Sequence, residues 1–350
     1  MDLNPYLEDL ESRIDEAAEQ DLIAQYKNFW EHGGANPEIP RRKHMAKPKI
    51  NWEAMPVNHT LNNYDNMAYS QLCGVSKALA SENGCILCMR ANYGTGIMPS
   101  LFGAEIYVMD IRHDTLPTSR HLPGGFDAIK KILSAGVPDL NNGQGGQVFE
   151  MYARFVEMLK PYPKLSRNVM IYHPDMQGPM DICELLWGSD IFYDLIDRPQ
   201  AVHELLALVT ETYIAFMERF TEYIPHTGYT CHKEFLIKGN IMLRDDSAMN
   251  LSSEMFDEFI KPYDQRLLTR FGGGLIHFCG RGDHYIETLS GISALNGINM
   301  TQPEYNDMEI ILQNTVDKGL CIAGFNLAVA EELVRQGRDL RGRVLHVARL

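Results

Sequence analysis

The stretch GNIMLRDDSAMNLSSEMFDEFIKPYDQRLLTRFGGGLIHFCGRGD, residues 239 to 283, decides the fold. Its opening IMLR and its closing GLIHF are short apolar runs ending in polar residues, the pattern of strands buried on both faces. Between them, SSEMFDEFIKPYDQRLLTRFG places apolar residues at helical spacing, with Ser252 positioned as the cap and Glu254 in the first turn. The order strand, helix, strand predicts parallel strands joined by a helix. Along an extended strand side chains alternate, so His277 and Cys279 share one face and Phe278 takes the other.

The same alternation runs outward on both sides. Upstream, NVMIYHP reads as a strand and PQAVHELLALVTETYIAFMERF as a long helix. Downstream come GDHYIETLSG, NGINM, NDMEIILQNTVDKG, LCIAGFN and AVAEELVRQG, with Asn306 and Glu309 forming a capping-box-like start. Nearer the N-terminus, NYDNMAYSQLCGVSKALASEN predicts a helix and GCILCMRANYG a buried strand. So many alternating units predict the α/β class and a (β/α)8 TIM barrel spanning residues 61–350. Residues 1–60 read as an N-terminal helical extension, its helices ending near Gly33 and Gly34, followed by the proline-containing connector PEIPRRKHMAKPK.

Composition narrows the function. Hydrophobic residues make up 45% and charged residues 22% of the 350, ordinary globular usage, and the formal net charge is −14. Nucleic acid and anionic membranes call for clustered Lys and Arg, so neither is an expected partner. The acidic N-terminus lacks a signal-peptide core, and no apolar run reaches spanning length, which makes a cytoplasmic location the expectation. Seven scattered cysteines fit reduced thiols better than a disulfide framework. Cys85 and Cys88 lie inside an apolar strand and read as core packing, as do Cys73 and Cys183 on helices. The chain shows no GxGxxG after a strand, no P-loop and no internal repeat, so the usual nucleotide-binding markers are missing.

In a parallel barrel the chemistry sits at the C-terminal strand ends. Those ends hold Asn92 and Tyr93, His173 and Asp175, Asp245 and Asp246, His277 and Cys279, Gln302 and Glu304, and Asn326. Adjacent strand residues point to opposite faces, so only one of Asp245 and Asp246 enters the barrel. His277 and Cys279 are good ligands for a borderline-soft metal such as zinc. The segment YTCHKEF, residues 229 to 235, reads as an insertion that brings Cys231, His232 or Glu234 over the mouth as a further ligand. Cys321 opens its strand too far below the mouth to serve.

The segments PDMQGPMDICELLWG, NIMLRDDSAMNLSSEMFDEFIKPYDQR, LIHFCG and LCIAGFN, in this order, resemble the uroporphyrinogen decarboxylase superfamily of (β/α)8 barrels. The resemblance covers roughly residues 165 to 330. It implies one of two chemistries: cofactor-free decarboxylation of a polycarboxylate tetrapyrrole, or zinc-dependent methyl transfer between a corrinoid protein and a thiol. The decarboxylase pattern needs an arginine-rich strand end for substrate carboxylates, whereas here the N-terminal basic cluster is PRRKH, and Arg90, Arg244 and Arg281 are few. The methyltransferase pattern finds its His-x-Cys pair at His277 and Cys279. On that reading zinc is the cofactor, a corrinoid is the methyl donor, and a small-molecule substrate and a corrinoid protein are the partners. Asp246, Glu304 and Gln302 then orient the second substrate, with Asn92, Tyr93, His173, Asp175, Arg281 and Asn326 lining its site. The superfamily also leaves room for a homodimer and for a noncatalytic ligand-binding barrel.

Overall fold

The computed structural model describes residues 1–348. Eleven strands follow one another among them: β1 (Cys88–Met89), β2 (Ile106–Tyr107), β3 (Thr118–Ser119), β4 (Met170–Ile171), β5 (Tyr229–His232), β6 (Phe235–Lys238), β7 (Ile241–Arg244), β8 (Gly274–Phe278), β9 (Leu295–Met300), β10 (Cys321–Ala323) and β11 (Val344–Leu345). Strands β7 to β11 form one parallel sheet in chain order, and β1 pairs in parallel with β4. Two antiparallel hairpins, β2 with β3 and β5 with β6, complete the pairing. Helices alternate with the parallel strands, so the molecule is a mixed α/β structure around a parallel sheet. Every residue of β8 is buried, as a strand covered on both faces requires.

Several local readings of the sequence hold, and the departures have physical causes. The long helix is Pro199–Tyr223, with proline in its first turn. Ser252 caps the helix after β7 by accepting from the Met255 N–H. That helix does not run through to Phe271 but divides into Ser253–Phe259 and Lys261–Arg270. Pro262, which has no N–H to donate, stands at the second helix's start. The cap of helix Met308–Asn314 is Asp307, accepting from Glu309 and Ile310, rather than Asn306. The closing VL of RVLHVARL forms β11, alongside β10. No helix among the described residues is long and apolar enough to cross a membrane.

Helices α1 (Asn4–Arg13) and α2 (Glu16–His32) precede α3 (Tyr64–Leu79), and their apolar faces join the same continuous core as the strands. The connector between α2 and α3 is anchored by Arg42. Its guanidinium is buried, forms a two-point bond with Glu19 at 2.7 and 3.0 Å, and donates to the carbonyls of Ala78 and Cys85. A buried guanidinium without its carboxylate is costly, because its lost hydration is not replaced. The Glu19→Ala variant should therefore lose about 3–5 kcal/mol of stability in urea denaturation. A loss below about 1 kcal/mol would contradict this anchoring role.

Candidate metal centre

Register across the central sheet sets the site. Arg244 on β7 pairs with His277 on β8, which pairs with Asn299 on β9, so the three side chains stand in a row on one face. His277 is 3% exposed, and its Nδ1 lies 2.6 Å from the Asn299 Oδ1. The Asn299 amide is oriented by its own bond, Nδ2 donating to the Ala323 carbonyl at 2.6 Å. Its Oδ1 must then accept, so the His277 proton sits on Nδ1 and the Nε2 lone pair faces outward.

That lone pair meets two further donors. The Cys279 sulfur is 3.4 Å from His277 Nε2, and Asp246 Oδ1 is 3.6 Å from it. One ligand atom from each of Asp246, His277 and Cys279 falls within a 4.8 Å group, which could hold a metal ion. The Cys279 N–H also donates to Asp246 Oδ1 at 2.8 Å, and the Thr301 hydroxyl donates to the Cys279 sulfur at 3.2 Å. Burial lowers the His277 pKa against the pull of Asp246, which keeps the ring neutral. Burial raises the Cys279 thiol, and the Asp246 charge adds to this. A nitrogen, a sulfur and an oxygen donor at one point suit zinc.

The loop after Cys279 is fixed from β9 and the turn that follows it. Gly280, at φ +74°, adopts a left-handed conformation that favours glycine, and its N–H donates to the Gln302 Oε1 at 2.6 Å. Asn306 accepts from the Gly282 and Asp283 N–H groups and donates to the carbonyls of Gly280 and Gln302. Arg281 is largely exposed and pairs with Asp283 at 2.7 Å. Glu304 lies exposed in the turn Pro303–Tyr305.

On the other side, a cleft of about 670 Å³ adjoins Asp246 and is lined by Gln177, Asp181, Glu184, Trp187 and Ser247 among others. Asp181 accepts from the backbone N–H of Asp246 at 2.9 Å and of Ser247 at 2.8 Å, holding the turn that presents Asp246. Ser247 Oγ lies 2.5 Å from Asp181 and 2.6 Å from Glu184. A hydroxyl has one proton to give, so one of these two carboxyls must carry its own. Burial, and then the Asp245 charge, push the Asp181 pKa well up.

The remaining strand-end residues divide clearly. Asp245 points away from the metal group, as alternation requires, and is fully buried. Its partner is Asp264, and no hydrogen-bond donor among the described residues reaches either carboxyl, so the two must share a proton. His173 is structural: Nδ1 donates to the Pro174 carbonyl and Nε2 accepts from the Met242 N–H at 3.1 Å. Burial lowers its pKa to about 4, consistent with a neutral ring. Asp175 receives Arg244 at 3.0 Å and Arg90 at 3.6 Å, and Asn92 accepts from Arg90. Tyr93 is buried in the core and Asn326 caps the helix Leu327–Arg335.

The segment 229–235 is a hairpin rather than a lid. Cys231 is fully buried and directs its sulfur to the Lys233 carbonyl at 2.7 Å. The ring of His232 lies 6.4 Å from that of His277, with Nε2 buried and unpartnered. Neither belongs to the 4.8 Å ligand group; Asp246 takes the third place instead. Asn299, Thr301, Asp181 and Glu184 were not apparent from sequence spacing. The one available signal was the alignment of the NGINM strand with LIHFC.

Two outcomes follow from this geometry. Replacing Asn299 with Ala frees the His277 ring, and zinc affinity should fall by about 10- to 100-fold in a competitive chelator titration. Unchanged affinity would contradict the relay. Burial raises the Asp264 pKa from 3.8 to about 7. Between about pH 4 and pH 7 the folded state therefore keeps a proton that the unfolded chain has lost, and stability falls as pH rises, by about 1.4 kcal/mol per unit at most for one proton. Urea denaturation across this range should show that decline in the native protein and a flatter profile in Asp264→Asn.

No protein-family model matches the chain, and no curated protein matches it. Among solved structures it is similar to a methyltransferase from Methanosarcina mazei, with a TM-score of 0.58 over 83% of this chain and 81% of that chain, at 17% identity. At that identity the likeness establishes a shared fold.

Proposed function

We propose that the protein is a zinc-dependent methyltransferase of the uroporphyrinogen decarboxylase superfamily. It would move a methyl group from a corrinoid, carried by a partner protein, to a small thiol. The observation that carries this reading is the convergence of Asp246, His277 and Cys279 on one point beside an open cleft. The fold likeness to a methyltransferase supports it.

A (β/α)8 barrel over residues 61–350, with residues 1–60 as a helical extension, belongs to the same reading. The parallel order β7 to β11, the parallel pair β1 and β4, and the Met242 bond to His173 from the segment after β4 fit such a barrel. So does the contact of Cys85, just before β1, with the Ala348 carbonyl, just after β11.

In this mechanism His277, Cys279 and Asp246 would hold the zinc. Zinc, when bound, supplies a Lewis acid that keeps the acceptor sulfur as its nucleophilic thiolate. Asn299 holds the proton on His277 Nδ1, which leaves Nε2 free to ligate. The Thr301 hydroxyl tempers the charge on the Cys279 sulfur through its hydrogen bond. Asp181 anchors the turn bearing Asp246, and Gln302 anchors the loop bearing Cys279. Asp246 thus serves as a ligand rather than as an orienting group for the second substrate. The thiol would enter by the cleft lined by Gln177 and Glu184, and the corrinoid protein would dock over the same mouth.

The decarboxylase reading gains no support from the arginines. Arg90 and Arg244 both pair with Asp175, and Arg42 is engaged in anchoring the connector. The test is methyl transfer by zinc-loaded protein from methylcobalamin to a panel of small thiols, followed by mass spectrometry of the thioether and the absorbance of the released cob(I)alamin. The native protein should form a thioether with at least one thiol, and Cys279→Ser should lose the rate by about 100-fold or more. Decarboxylation of uroporphyrinogen by a preparation that methylates no thiol would overturn the proposal.

A further inference from the structure

Two thiols outside the metal group converge on one atom. Cys88 on β1 directs its sulfur to the Lys233 carbonyl at 2.6 Å, and Cys231 on β5 directs its sulfur to the same oxygen at 2.7 Å. The two sulfurs are therefore immediate neighbours, and Cys88 is also the side-chain hydrogen-bonding neighbour of Cys231. Lys233 is one of the two turn residues between β5 and β6, at a φ of +49°, and its carbonyl lies within reach of both thiols. Backbone pairing holds the two segments together, with the Ile86 N–H donating to the Glu234 carbonyl at 2.6 Å.

The two thiols differ in access. Cys88 is half-buried and lines a cleft of about 300 Å³ together with Gln71, Arg90, Asn92, Tyr172 and Glu234. Cys231 is fully buried behind it, and burial pushes its thiol well above the usual cysteine range. Cys85, nearby, points instead to the Ala348 carbonyl at 3.1 Å, so it is not the partner. An accessible thiol backed by a buried one is the arrangement of a reactive and a resolving cysteine.

We propose that Cys88 and Cys231 form a peroxide-oxidisable pair that closes to a disulfide between β1 and the β5–β6 hairpin. The Cys88 sulfur attacks a hydroperoxide, the O–O bond breaks, and Cys88 becomes a sulfenic acid while an alcohol, or water from hydrogen peroxide, leaves. The Cys231 sulfur then attacks the Cys88 sulfur, forming the S–S bond and expelling the sulfenic oxygen as water with the Cys231 proton. Two electrons pass from the thiol pair to the peroxide. The bridge ties down the strand whose next residue, His232, stands beside His277. It requires neither metal nor methyl transfer, so it stands or falls independently of the function proposed above.

The test is hydrogen peroxide titration of the whole folded protein, removal of peroxide, alkylation with iodoacetamide in denaturant, tryptic digestion and mass spectrometry. The tryptic peptide 78–90 should appear joined to 220–233, lighter by two hydrogens than the pair, with fragmentation placing the link at Cys88. Cys85→Ser should keep the link, and Cys88→Ser should leave Cys231 alkylated after the same treatment. Separate alkylation of 78–90 and 220–233 in folded, peroxide-treated protein would overturn the proposal. So would a link that passes through Cys85.

Discussion

The in-register parallel pairing of β7, β8 and β9 is the constraint on which the site depends. It lines up Arg244, His277 and Asn299 on one face of the sheet, and so gives the imidazole a neighbour of the right kind at the right height. The hydrogen bond from His277 to Asn299, and from Asn299 to Ala323, then spans three strands. A slip of one residue in either pairing would turn these side chains to the opposite face. What would make the histidine a ligand is therefore long-range backbone pairing as much as the residue itself.

Behind Asp246, His277 and Cys279 lies a layer of buried acid. Asp245, Asp264 and Asp181 are withdrawn from water within reach of one another, and burial together with mutual repulsion favours their protonated forms. Asp246, on the same short turn, remains partly exposed, with its side chain 42% accessible. The separation leaves one carboxylate facing the candidate metal group, while its buried neighbours hold protons as scaffolding. Asp181 unites the two roles, because it grips the turn from beneath through two backbone N–H groups.

The alternation of strands and helices was legible because apolar periodicity is a local signal, and β7, β8 and the helix Pro199–Tyr223 follow it closely. His277 and Cys279 were legible as a pair because a strand places alternate residues together. Asp246 was not legible as their companion, since 33 residues separate it from Cys279 and only the fold closes that distance. Asn299, Asp181 and Asp264 carry no local signal of their roles, because their partners lie on other elements of the fold. Cys231 and His232 resembled a lid because of their residue types, yet the segment pairs with itself as a hairpin with both side chains buried. At His173, Asn326 and Asn92 the structure adds what spacing does not show, that polar atoms at strand ends are engaged within the protein itself.

Zinc content is the direct measure of the central claim that Asp246, His277 and Cys279 form a metal site. Inductively coupled plasma mass spectrometry of protein dialysed against zinc should find about one ion per chain in the native protein and in Cys231→Ser. Little should remain in His277→Ala or Cys279→Ser. Folded native protein that takes up no zinc, or zinc that survives in Cys279→Ser and is lost in Cys231→Ser, would contradict the account.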